Sequence, residues 1–596
     1  MRLLILSLFI IANVSNNSKA SLESFLPSND NIFLTDTTKS SDKSCNRPCK
    51  FNVKPRRCHY DFEISPAFGE DERPALTVNG QTPGPSIHVC LHDIIVVKVK
   101  NKIPSQDITM HWHGIEQKGT PYMDGVPMIT QCPISYGSVY EYAFAASSPG
   151  TFFYHSDSVL HQSDGVYGAL IVEQPQPLEP HAALYDYDRS DEHTLLIGAR
   201  FPELLTAKLE DTNQIRPDEF NSNGEDTGIR RKELIFVIPG YGYRLRLVNA
   251  IALECPLVIH AYRHVMTVIA TDGKSVQPAT TSAVKLYPGE RMDVVIRADQ
   301  QTGGYWIDVT GEGDCDGLKA QAMLLYSGFN YTSMLTEEPN VDTDSGLETR
   351  DTISSQHLQS HRDVPSVSSV KSIYLGIDKT YPKFKDNDID FRYISDAVPK
   401  KPFIPAVLSS LDNVLQINGK NFLYPNAPYL LKPRDVRPDT VCFVGEEESN
   451  KQPQCVLVLN AKLNEVVELV LANEGLRHND SYTFHMHGYG LQVVTTWRNY
   501  SSFFKCTIGK KFNLIVVVFR NLKNPPVKDT FVVPNKGLTV VRFTPTVGGS
   551  WLLECRSCSF SLPVAIIISV PLSIPKLVLD SLPSCGNYRP ADVLLN

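Results

Sequence analysis

Two short stretches carry side chains suited to holding a metal ion: His111-Trp112-His113-Gly114 and His485-Met486-His487-Gly488, nearly four hundred residues apart. Residues i and i+2 of a strand face the same side, so each His-x-His offers two imidazoles together. His155-Ser156-Asp157 offers a further imidazole, and the pattern suggests a site shared between the two ends of the chain. A last stretch, Trp551 to Phe560, stands where such a site would be completed, and it carries Glu554, Cys555 and Arg556. A carboxylate can assist a metal, whereas a guanidinium has no lone pair to give and repels a cation at close range.

These residues need strands to hold them. From about residue 60 the chain reads as short apolar runs separated by Gly, Pro and Asn turns, the signature of β-sandwich or barrel domains. The runs repeat. Asp93 to Asn101, Tyr243 to Asn249 and Glu465 to Asn473 are three versions of one strand, each ending in Asn. A His follows 10, 11 and 12 residues later, at His111, His260 and His485. A second strand recurs at Gly137–Phe144, Gly289–Ile296 and Gly537–Phe543, and a third at Gly150–His155, Gly304–Asp308 and Gly549–Glu554. A fixed order at these intervals predicts three copies of one β domain. The expected boundaries are 61–175, 190–330 and 373–575, with a Ser/Thr/Asp-rich linker at 331–372 and a tail at 576–596. The middle copy is poor in ligands: His260 and His264 stand alone and Asp308 replaces the equivalent of His155. The site is therefore expected between the first and third domains, with the middle one mainly a spacer.

The 596 residues suffice for three or four domains, and 42% hydrophobic with 20% charged residues is ordinary for a soluble chain. A net charge of −8 without a basic stripe argues against nucleic acid. Residues 1–20 read as a secretory signal and 21–60 as a disordered leader ending in a cysteine cluster. No other segment is a transmembrane candidate, because prolines break the apolar stretch Leu562–Leu579. A secreted, extracellular protein is expected. Thirteen cysteines fit disulfides, with an odd one left over. Disulfides are the better reading of Cys45, Cys49 and Cys58, and Cys442 and Cys455 are placed to staple the loop between them. Asn330, Asn479 and Asn499 open glycosylation sequons.

The chain resembles the multicopper oxidases of the laccase type. The resemblance is carried by both His-x-His-Gly motifs, Met123-Asp124-Gly125-Val126-Pro127, Thr130 to Ile134, Asp164 to Ala169, Pro288 to Asp293 and Asn524 to Thr530. The leading cysteines and the last of these segments resemble the insect branch, and most of all its multicopper oxidase-related proteins that lack copper ligands. The resemblance implies an all-β fold of three cupredoxin-like domains in tandem. It also implies a type 1 copper that oxidises a substrate and a trinuclear cluster that reduces oxygen.

By that resemblance, His111 and His485 take the type 2 copper positions. One type 3 copper falls on His113, His155 and Arg556, the other on His487, Asp157 and Glu554. The type 1 copper falls on Cys555, Tyr482 and Phe560, with Ala565 at the axial place. Five of the ten family histidines are thus replaced, at Asp157, Tyr482, Glu554, Arg556 and Phe560. A blue copper needs two imidazoles beside its thiolate. Cys555 is expected to be a buried free thiol, with a bond to Cys558 as the alternative. Glu554, Arg556 and Asp157 are expected to form an ion-pair network in the type 3 volume. The resemblance further implies Cys132–Cys255 and Cys90–Cys585 disulfides. A scaffold binding an unidentified protein or small molecule is expected, with no cofactor or at most one residual copper or zinc. An active laccase or ferroxidase is the alternative, and so is a mononuclear copper or zinc protein using the His-x-His pairs.

Overall fold

The computed structural model describes residues 45–68, 73–207, 216–222, 234–329, 351–363, 370–379, 415–445, 454–473, 481–498, 520–558, 563–583 and 585. The expected signal, the leader up to residue 44, most of the linker, Phe560 and all three sequon asparagines lie outside these residues.

The chain is almost all strand, and the strands form three pairs of sheets, each pair enclosing an apolar core. In the first pair Phe62 and Ile64 of one sheet meet Val89, Trp112 and Tyr154 of the other. The repeated sequence is a repeated topology. Ile94–Asn101 pairs parallel with the first strand of its domain, Arg57–Phe68, and antiparallel with Val139–Ala145. Gly242–Asn249 does the same with Thr194–Arg200 and Arg291–Arg297. Val467–Asn473 does so with Lys371–Lys379 and Gly537–Phe543. The terminal Asn has a recurring task. Asn101 Nδ2 donates to the carbonyls of Gln106 and Ile134 while its Oδ1 accepts from Ile103 N–H. Asn249 makes the same pattern with Cys255, Leu286 and Ile251. A short side chain carrying both donor and acceptor ties the loop that leads to the histidine strand.

The third repeat, Gly150–Ser156, Gly304–Gly311 and Gly549–Cys555, lies antiparallel to the strand that bears each domain's histidine. Register sets His111 opposite His155 and His485 opposite Glu554.

Six disulfides join described cysteines, and the thirteenth cysteine, Cys506, lies outside the described residues. Cys45–Cys58 and Cys442–Cys455 bear out the local readings. Both pairings taken from the family resemblance are wrong. Cys132 bonds Cys585 rather than Cys255, and Cys90 bonds Cys49 rather than Cys585. Cys255 instead closes on Cys315, because Leu257 pairs with Gly311 and brings the two ends of those strands together. Cys90 is claimed by the leading segment, where Asp93 receives both Cys90 N–H and the Arg47 guanidinium. The first strand starts at Arg57, inside the stretch assigned to the leader. No helix among the described residues is long and apolar enough to cross a membrane.

Candidate metal centre

All five retained histidines converge in one buried cluster between the first and third domains. His111 and His113 sit on strand Met110–His113, His155 on Gly150–Ser156 and His485 on Tyr482–Met486. His487 follows directly. Each is no more than 1% exposed. His111 Nε2 lies 3.2 Å from His485 Nε2, and His113 Nδ1 lies 3.2 Å from His155 Nε2.

Hydrogen bonds to carbonyls fix the tautomers. His111 Nδ1 donates to Asp124 O at 2.8 Å and His485 Nδ1 to Asp529 O at 3.1 Å, since a carbonyl can only accept. Burial first, then the neighbouring imidazoles, hold the His111 pKa well below its ordinary value. Burial also lowers His485. In the neutral rings both Nε2 lone pairs face each other, an arrangement that a cation between them would relieve. His155 Nδ1 likewise bonds Ser156 O at 2.7 Å.

His487 is different. Its Nδ1 is 2.8 Å from Asp124 Oδ2 and its Nε2 is 3.4 Å from Glu554 Oε1. Burial opposes its charge, but Asp124 and Glu554 outweigh burial and push its pKa up to about 10. Carboxylate oxygens thus face both ring nitrogens, a setting that favours the doubly protonated ring.

Arg556 enters the cluster just past the end of strand Gly549–Cys555, where its N–H donates to Thr483 O. Its Nη1 is 2.9 Å from Glu554 Oε1, and its Nη2 bonds Gln162 Oε1 and lies 3.4 Å from His155 Nδ1. Gln162 is held by the middle domain, donating to the carbonyl of Ala250, just past the strand Gly242–Asn249, at 2.8 Å. Burial would raise the Glu554 pKa, but Arg556 and then His487 hold it well below the carboxylate range. The expected three-membered network is only partly formed. Arg556 reaches the Asp157 backbone carbonyl at 3.3 Å, not its carboxylate. Burial and the Glu554 charge raise the Asp157 pKa, and the buried Tyr424 phenol, its own pKa raised by burial and then by Asp157, is an electrostatic neighbour of that carboxyl.

Cys555 is not a free thiol. It is bonded to Cys558, because the turn after the strand is folded back by Arg556 N–H on Thr483 O and by Thr483 N–H on Ser557 Oγ at 2.9 Å. Tyr482 and Ala565 are buried in the same core.

The middle domain is more than a spacer. Its Arg291 forms a two-pronged ion pair with Asp529, at 2.6 and 2.5 Å. Asp529 Oδ1 in turn accepts from Thr530 Oγ1 at 2.8 Å, and Thr530 Oγ1 lies 2.9 Å from His113 Nε2. Lys528 adds ion pairs to Asp272 and Glu290 at 2.8 and 3.2 Å. Gly114 makes room for this pair: at its φ of +93° a Cβ would come within 2.5 Å of the Arg291 guanidinium. Asp124, Gln162, Arg291, Tyr424, Asp529 and Thr530 were not singled out from the sequence as site residues. Asp124, Arg291, Asp529 and Thr530 do lie within the segments that carried the resemblance.

A cavity of about 10 Å³, room for one water, adjoins His111, His485 and His487. Its mouth is lined by Glu116 and Lys274, an ion pair at 2.6 Å between the first and middle domains.

Three family models described as Multicopper oxidase match residues 63–177, 202–328 and 423–558, together more than half of the chain. L-ascorbate oxidase of Cucurbita maxima is 28% identical, with 84% of this chain and 87% of that protein covered. Laccase-25 of Oryza sativa is 25% identical, covering 85% and 92%. Among solved structures, Fet3p, a multicopper oxidase that functions in iron import, superposes with a TM-score of 0.68 at 21% identity, covering 90% and 98%. The Botrytis aclada laccase gives 0.62 at 22%, covering 86% and 88%. At these identities the structural likeness speaks for the fold, three cupredoxin-like domains in tandem, and the matching family models establish that the chain belongs to the multicopper oxidase family.

Proposed function

We propose that this chain is a multicopper oxidase homologue without four-copper oxidase activity, using the scaffold to bind another molecule. One observation carries the reading: Arg556, a permanent cation, is built into the histidine cluster and paired with Glu554, whose carboxylate also faces His487. A guanidinium beside His155, with Glu554 and Gln162 as its partners, fits an internal ion pair and does not fit a copper ion in that volume. The thiol that a blue copper requires is bonded to Cys558, and Tyr482 is a phenol where an imidazole is needed. The full copper set therefore does not fit these residues, and no oxidation step is derived through it. The leading cysteines and the segment Asn524 to Thr530 support a place near the insect multicopper oxidase-related proteins. Six disulfides support a life outside the cell.

A second reading is favoured by a specific observation, the facing Nε2 lone pairs of His111 and His485. They suit one divalent copper or zinc ion. Metal analysis of the purified chain tests both. The first reading alone predicts no bound metal, and the second predicts one ion per chain that is lost in His111→Ala. Four coppers with an intense blue thiolate-to-copper band would overturn the proposal.

A further inference from the structure

The middle domain carries a concavity that shares no residue with the histidine cluster. It is a cleft of about 410 Å³, walled by Tyr187, Arg189, Phe236, Tyr243, Tyr326 and Phe329. That volume is in the range of small-molecule sites. The strand Leu234–Val237, paired parallel with Lys319–Tyr326, forms one side, and the segment before the domain's first strand forms the other.

The wall is rigid and amphipathic. Tyr187 stacks on Tyr243 with ring centres 5.1 Å apart and planes at 16°, and Tyr241 meets Tyr187 edge-on at 5.4 Å. The Tyr243 hydroxyl accepts Ile238 N–H at 2.6 Å. The Tyr326 hydroxyl accepts Gln300 N–H at 3.1 Å and lies 2.7 Å from His264 Nε2. These two rings are therefore held in place by their own hydroxyls, the preorganisation that binding rewards. Phe236 stands 53% exposed at the edge, a large apolar ring left in water.

Charge at the rim narrows the ligand. Arg189 lies over the Tyr187 ring at 5.5 Å and pairs with Glu192 at 3.0 Å, both half exposed. Such a pair is weakly held, so its groups can turn to a ligand. It offers donors and acceptors side by side. A free anion would meet Glu192, and a free cation would meet Arg189. A purely apolar ring would make no use of this donor–acceptor pair. A pyranose suits all of these: its C–H face packs on an aromatic ring and its hydroxyls both donate and accept.

We propose that this aromatic cleft of the middle domain binds a saccharide ring. It does so whether or not the histidine cluster holds a metal. The test is calorimetric titration of the full chain with cellotriose, maltotriose, mannotriose and tri-N-acetylchitotriose, with phenol and indole as apolar controls. At least one saccharide is expected to bind at millimolar concentration or better. Phe236→Ala and Arg189→Ala are each expected to weaken it about tenfold. Both side chains are half exposed, so the variants should keep the parent's melting temperature, which is measured alongside. Binding of none of the four saccharides overturns the proposal. So does binding of phenol or indole in their place, or saccharide affinity unchanged in both variants.

Discussion

Arg556 places Nη1 2.9 Å from Glu554 Oε1, two residues back along the same chain, inside a cluster of five histidines. Both side chains are almost wholly buried. Breaking a buried pair by removing one partner strands the other charge. Arg556→Met is therefore expected to destabilise the third domain by about 3–5 kcal/mol. The double variant Arg556→Met/Glu554→Gln should cost clearly less than Arg556→Met alone, and thermal unfolding of the three chains checks this. Equal losses in the single and double variants would mean that the pair is not coupled.

Asp529 makes the same argument across domains. Asp529→Asn leaves the buried Arg291 with only the more distant Asp272 carboxylate, at 3.6 Å, and is expected to cost about 3–5 kcal/mol. Because the pair joins the middle and third domains, the variant should separate their unfolding into two calorimetric transitions where the parent shows one. A single unshifted transition would count against the joint.

How much of this was readable in the sequence depends on the range of the interaction. The repeat Asp93 to Asn101, Tyr243 to Asn249 and Glu465 to Asn473 was legible because alternation and a terminal Asn are local signals. The His-x-His pairs were legible for the same reason. Asp529 and Gln162 were not, because they act through partners such as Arg291 and Arg556 that lie 238 and 394 residues away. The two disulfides drawn from the family pattern failed at Cys90 and Cys255, whose actual partners were decided by neighbouring strand ends.

The ion pair at the mouth of the histidine cavity should respond to acid. Burial would raise the Glu116 pKa, but Lys274 and Lys118 outweigh it and lower it to about 2. A carboxyl lowered on folding contributes stability above its unfolded pKa and loses it as the pH falls through the folded value. The stability difference between the parent and Lys274→Met is therefore expected to be greatest near neutrality and to shrink from about pH 5 toward 2. Chemical denaturation at several pH values measures it. A difference that grows in acid would contradict the assignment.

Disulfide mapping tests the folded-back turn. Non-reduced digests should yield Cys555 linked to Cys558 and Cys132 linked to Cys585. Cys132→Ser should lower stability by about 2–5 kcal/mol. Alkylation of Cys555 in the untreated native chain would return it to the state of a free thiol.

The proposed absence of oxidase chemistry is tested most directly by oxygen consumption. The chain is purified, loaded with excess copper, freed of unbound metal and assayed with ascorbate, a diphenol and ferrous ion. The expected result is no oxygen uptake above that of copper-free protein with any of the three. Sustained uptake with turnover, abolished by His113→Ala, would contradict the account.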